Sequence, residues 1–130
     1  MGLFDRFRSK SHDDAGPGAH HGGFRLVNES EGQASLTLDL GGLPTDAAVQ
    51  GAGEEPNGAF WEGVTSYVAP ALASRLEMDS EGSMFAVYGD RTDLEELREM
   101  LQSLVHQPAA MAGLLQRVQA EGVVLEGYGR

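Results

Sequence analysis

The chain has no cysteine, so disulfides and thiolate metal sites are excluded and the redox compartment stays open. No apolar run approaches the roughly 20 residues that a membrane span requires. At the start, MGLFDRFRSK, the apolar residues are broken by Asp5 and Arg6, unlike the continuous core of a secretory signal. Arg6 stands where a myristoylation signal needs serine or threonine. A cytoplasmic protein without stable membrane insertion is therefore expected. Basic residues are scarce as well: nine Lys and Arg face twenty Asp and Glu, for a net charge of −11 at pH 7. The deficit is uneven. Residues 1–23 balance Arg6, Arg8 and Lys10 against Asp5, Asp13 and Asp14, whereas the remainder sets six arginines against seventeen acids. Such a surface repels nucleic-acid backbone and favours basic partners, and it also serves solubility.

What is present fits one domain, since 130 residues can bury about two thirds of their unfolded surface. Pro56–Leu72 holds the only tryptophan, and Trp61, Val64, Val68 and Leu72 recur at helical spacing. Asn57 is placed to cap that helix, Glu62 falls near its positive end, and Pro70 predicts a kink or stop near Tyr67–Ala69. Before it, Phe24 and Leu26 alternate with Arg25, and Leu36, Leu38 and Leu40 alternate with Ser35, Thr37 and Asp39. With the turn Asn28–Gly32 between them, these segments read as a hairpin of half-buried strands. A Gly/Pro-punctuated connection over 41–56 contains a short apolar patch, Ala47–Val49.

After the Trp61 helix, Leu76 and Met78, the turn Asp79–Ser83 and the apolar run Met84–Tyr88 predict a second hairpin with its last strand buried on both faces. Thr92-Asp93-Leu94-Glu95 has the form of a capping box opening a helix striped by Leu94, Leu97, Leu101, Leu104 and Val105. Pro108 suits the first turn of a last helix carrying Met111, Leu114, Leu115 and Val118, with Gly122 as its stop. The tail VVLEGYGR can add an edge strand. The expected fold is α+β, an antiparallel sheet built from two hairpins with helices packed on one face, in the order β-β-α-β-β-α-α. Residues 1–23 are read as a flexible arm and linker and 24–130 as the domain. Within the arm, Leu3, Phe4 and Phe7 share one side of a possible short helix, a pattern suited to a frayed terminus or to docking on a membrane surface or partner.

The search for chemistry returns little. No Gly-x-Ser-x-Gly elbow, phosphate loop or calcium loop occurs, and no catalytic residue is assigned. His106 falls near a helix end, where a protonated ring suits the dipole. His12, His20, His21, Asp13 and Asp14 are possible metal ligands only in a tract lacking fixed geometry, so no metal or cofactor is expected. The carboxylate pairs Glu54/Glu55, Asp79/Glu81 and Glu95/Glu96 are what twenty acids produce by abundance; a hydrolase using Asp79 and Glu81 is the weakest reading.

Two segments carry a resemblance. Asn57-Gly58-Ala59-Phe60-Trp61-Glu62 is similar to the N-G-x-x-W-E segment of the Imm51 group, immunity proteins of bacterial polymorphic toxin systems. Asp79-Ser80-Glu81-Gly82-Ser83-Met84-Phe85 resembles that group's D-x-E-x-x-M-F segment, and the likeness spans about Phe24 to Val118. Ala59-Phe60, Ser80 and Gly82 depart from the family's usual residues. The resemblance implies a non-catalytic inhibitor of a cognate toxin domain, and the acidic balance separately disfavours nucleic acid as a partner. It carries over Asn57, Trp61, Met84 and Phe85 as family-matching positions suited to capping and packing. Glu62, Asp79 and Glu81 are expected to face solvent and contact the partner, with Glu54 and Glu55 extending the acidic face. The alternative is a small adaptor or regulatory domain whose N-terminal arm docks elsewhere. The helix start and the hairpin turn are expected to lie close together.

Overall fold

The computed structural model describes residues 20, 21 and 23–129. Of the arm read over residues 1–23, positions 1–19 and 22 lie outside the described residues, and with them the apolar trio and His12, Asp13 and Asp14. Among the described residues five strands form one antiparallel sheet: β1 (His20–His21), β2 (Phe24–Ser30), β3 (Gln33–Asp39), β4 (Glu77–Met78) and β5 (Met84–Asp90), in the spatial order β1-β2-β3-β5-β4. The β2–β3 turn closes at Gly32, whose φ of +70° a side chain would resist.

Register decides which side chains share a face. Phe24 lies opposite Leu38, and Leu38 opposite Phe85; Leu26 lies opposite Leu36, and Leu36 opposite Val87. These residues line the face that carries the core. The other face presents Val27 beside Ser35, Thr37 beside Ala86, and Tyr88 beside Ser35 and Glu77.

Among the described residues five helices accompany the sheet: α1 (Asp46–Gly51), α2 (Gly58–Val68), α3 (Pro70–Ala73), α4 (Arg91–His106) and α5 (Pro108–Ala120). Their buried apolar residues join one cluster with the core face, so the fold is the expected α+β arrangement with helices on one side. The α4 stripe, Leu94, Leu97, Leu101, Leu104 and Val105, is buried as its spacing predicts. Pro70 and Pro108 each sit in a helix's first turn, where the missing amide hydrogen is harmless. Gly122, at φ +71°, ends α5: the amide of Val123 reaches the Val118 carbonyl at 3.0 Å and that of Gly122 the Gln119 carbonyl at 3.1 Å. His106 is the last residue of α4, as its dipole argument requires.

Several boundaries differ from expectation, each for a tertiary reason. The sheet begins inside the stretch read as linker, because His20–His21 pairs with Phe24–Arg25. The 41–56 connection contains α1; the Asp46 carboxylate accepts from the amides of Gly42 at 2.9 Å and Leu43 at 3.1 Å, closing the turn ahead of it. Helix α4 starts earlier than its capping box, with Asp90 rather than Thr92 as cap, accepting from the Thr92 amide at 2.9 Å. Strand β3 is buried on both faces, since it lies between β2 and β5 instead of at an edge. The tail forms turns, not a strand: Leu125 enters the core and the phenol of Tyr67 donates to Glu121 at 2.8 Å.

Candidate functional site

The N-terminus of α2 and the β4–β5 turn meet, and this junction unites the two segments that carry the family resemblance. Asn57 adopts an extended conformation and its Oδ1 accepts from the Phe60 amide at 2.9 Å, the expected cap. The next residue, Gly58, is buried, and its amide donates to the Gly82 carbonyl at 3.3 Å. A Cβ at this position would collide with the Glu81 carbonyl oxygen and stand 2.8 Å from Ser80 Cβ. Glycine here is a packing requirement: helix backbone and turn backbone touch.

One turn further along α2, Glu62 reaches the same hairpin from within. Its Oε2 accepts from the Ser80 amide at 2.9 Å, and the residue is 4% exposed. The expectation of a solvent-facing Glu62 is therefore corrected. The β4–β5 turn packs over this helix face and supplies the amide that makes a buried carboxylate tolerable. Ser80 completes the lock, with its Oγ accepting from the Ala86 amide at 2.9 Å. Glu81 and Met84 exchange backbone hydrogen bonds of 2.8 and 3.3 Å across the turn.

The other assigned residues divide by side. Trp61 and Phe85 are fully buried, Phe60 meets Trp61 edge-on at 5.7 Å, and Met84 is half-buried. Asp79, Glu81 and Glu55 are exposed and Glu54 is half-buried. The junction thus presents carboxylates outward from Asp79 and Glu81, with Glu54 and Glu55 on the segment leading into Asn57.

Beside it lies a cleft of about 740 Å³ whose walls include Glu62, Ser66, Pro70, Leu76, Met78 and Tyr128. Among the described residues that line it, Glu62, already bonded to Ser80, is the one carboxylate, and none is a histidine. Among the described residues, no three His, Asp or Glu converge as metal ligands, and no helix is long and apolar enough to cross a membrane.

Sequence reasoning missed Ser80 and both close-packed glycines of α2. A Cβ on Gly63 would strike the Leu125 carbonyl oxygen, so the C-terminal segment lies directly on α2. The available signal was glycine recurring in a helical pattern, which weakens a helix by about 1 kcal/mol relative to alanine unless packing compensates.

Compared with protein-family models, curated proteins and solved structures, the chain has no significant match.

Proposed function

We propose that this protein is a non-catalytic inhibitor that binds a cognate bacterial toxin domain, as the Imm51 resemblance implies. The observation that carries the reading is the junction itself. The two resembling segments, far apart in sequence, pack through Gly58 and Glu62 into a single unit. Asp79 and Glu81 project from it into solvent. An acidic, rigid turn can associate rapidly with the basic cleft of a nucleic-acid-attacking toxin and occlude it. The overall charge of −11 favours the same kind of partner.

Toxin domains encoded beside the gene supply the test. Co-expression should restore growth, and the purified proteins should bind with a rate that falls as salt rises. Charge reversal at Asp79 and Glu81 together should slow association at least tenfold while leaving the fold intact. Failure of every neighbouring toxin domain to bind, together with undiminished toxicity, would sink the proposal.

A further inference from the structure

We infer that the open edge of β4, together with the cleft beside it, takes up an extended basic–apolar–basic segment of the toxin domain as an added strand. Which chain supplies the segment rests on the toxin-binding proposal; the edge and the cleft are properties of this molecule alone. Among the described residues β4 ends the sheet, with β5 as its one neighbour. The alternation of an antiparallel ladder fixes where its polar groups point. The Asp79 amide donates to the Ala86 carbonyl at 2.9 Å, so Asp79, and Glu77 two residues before it, turn their backbone toward β5. Met78, between them, turns its N–H and C=O away from the sheet. Ser80 follows the same alternation, and its outward amide is met by the Glu62 carboxylate at 2.9 Å. Among the described residues nothing meets the N–H or C=O of Met78.

A short, charged edge strand is commonly just a protected one. This edge differs in having a receiving volume at its side, the cleft of about 740 Å³. Leu76 and Met78 line it from the sheet, Pro70 and Ala73 from α3, and Tyr128 from the C-terminal segment. A strand paired with Met78 sends its facing side chain to the Met78 side, into the cleft, and the side chains on either side of it to the opposite face. There Glu77 and Asp79 wait, both exposed. Burial first, then Asp79 and Glu77 among the nearby carboxylates, holds the phenol of Tyr88 above its ordinary range, which sets both acids on the Tyr88 face. The cleft thus selects an apolar side chain, and the two carboxylates select a cation before and after it. The same pair rejects a second copy of this chain, whose own β4 would bring like charges opposite each other. Met78 supplies only one donor and one acceptor, so the segment belongs to a folded domain that already holds it extended.

Amide exchange followed by NMR in the full chain tests the inference. Binding of a neutralising toxin domain should slow exchange of the Met78 amide by about a hundredfold. Two substitutions at exposed positions, Glu77→Lys beside the edge and Ser74→Trp at the cleft wall, should each weaken that binding about tenfold and leave the thermal transition in place. A toxin domain that binds while Met78 exchanges as in the free protein would overturn strand addition and leave the toxin-binding proposal standing. So would full affinity in both variants. If no toxin domain binds, that proposal falls and the capped pentapeptide Thr-Lys-Val-Arg-Thr decides the edge separately. Protection of Met78 by this peptide, and not by Thr-Glu-Val-Glu-Thr, would support docking of basic segments at β4. Equal protection by the two peptides, or none at millimolar concentration, would end it.

Discussion

Helices α2 and α4 pack on the same sheet face and are seated in different ways. Helix α4 buries one leucine stripe and turns its charged side to solvent, the ordinary amphipathic solution. Helix α2 is buried nearly all round through its first two turns, and two of its contacts are backbone against backbone, at Gly58 and Gly63. Side-chain burial on α4 can relax around a change. A carbonyl oxygen resting on a glycine cannot, because no rotamer exists to move. The comparison teaches that the demanding part of this molecule is where a hairpin turn and the C-terminal segment close over α2, and that is where the candidate site lies.

The contrast can be broken by substitution. The largest effect is expected from Gly63→Val, which drives a side chain into the Leu125 carbonyl; a loss above about 4 kcal/mol should appear in urea unfolding. Gly113 of α5, with no atom near its missing Cβ, is the control, and Gly113→Ala should stabilise by about 0.5–1 kcal/mol. If both glycines behave alike, close approach is not what seats α2.

Next comes Leu101→Ala on α4, where a cavity in the core should remove about 2–5 kcal/mol with unchanged partner binding. Gly58→Ala should follow at about 2–3 kcal/mol, and unlike the α4 change it should, on the proposed function, also weaken association with the toxin domain by displacing the turn. Equal binding by the two variants would separate the junction from function.

Glu62→Leu deprives the Ser80 amide of its acceptor and should lose about 1–3 kcal/mol, while Glu62→Gln, which keeps an oxygen there, should lose less. Calorimetric melting of the pair distinguishes a hydrogen-bonding role from a packing one.

The smallest effect belongs to the surface. Arg75 grips Asp93 at 3.1 and 3.2 Å and holds its carboxyl below the ordinary value of 3.8. A carboxyl lowered on folding contributes stability at pH above its unfolded value and loses it as pH falls through the folded one. The small difference between parent and Asp93→Asn should thus be present at neutral pH and fade below pH 3.8, and salt should shrink it because the pair is exposed.

The legible parts of the fold share a cause. The Asn57 cap, the stop at Pro70, the α4 stripe, Pro108 in a first turn and Gly122 after α5 are each set by a few adjacent residues. The meeting of Asn57–Glu62 with Asp79–Phe85 was anticipated from the resemblance, and the exposure of Asp79 and Glu81 from turn chemistry. What stayed hidden depended on neighbours distant in the chain. Strand β3 reads as half-buried because its alternation cannot announce a central position. Leu125 reads as part of a strand because apolar residues near a terminus look alike until something receives them. Asp90 took the cap from Thr92 because β5 runs straight into α4, and the Arg91 amide is held by the Gly32 carbonyl at 2.8 Å.

The sequence by itself determined helix periods, caps, prolines and turns, together with an acidity that no folding step alters, because these follow from local sterics and composition. Only the tertiary structure decided that Glu62 points inward, that Gly58 and Gly63 admit a turn and a tail, and that Val27 and Tyr88 are buried away from the core. Each of these depends on which backbone arrives from elsewhere, and contact between distant segments leaves no periodic trace in the chain.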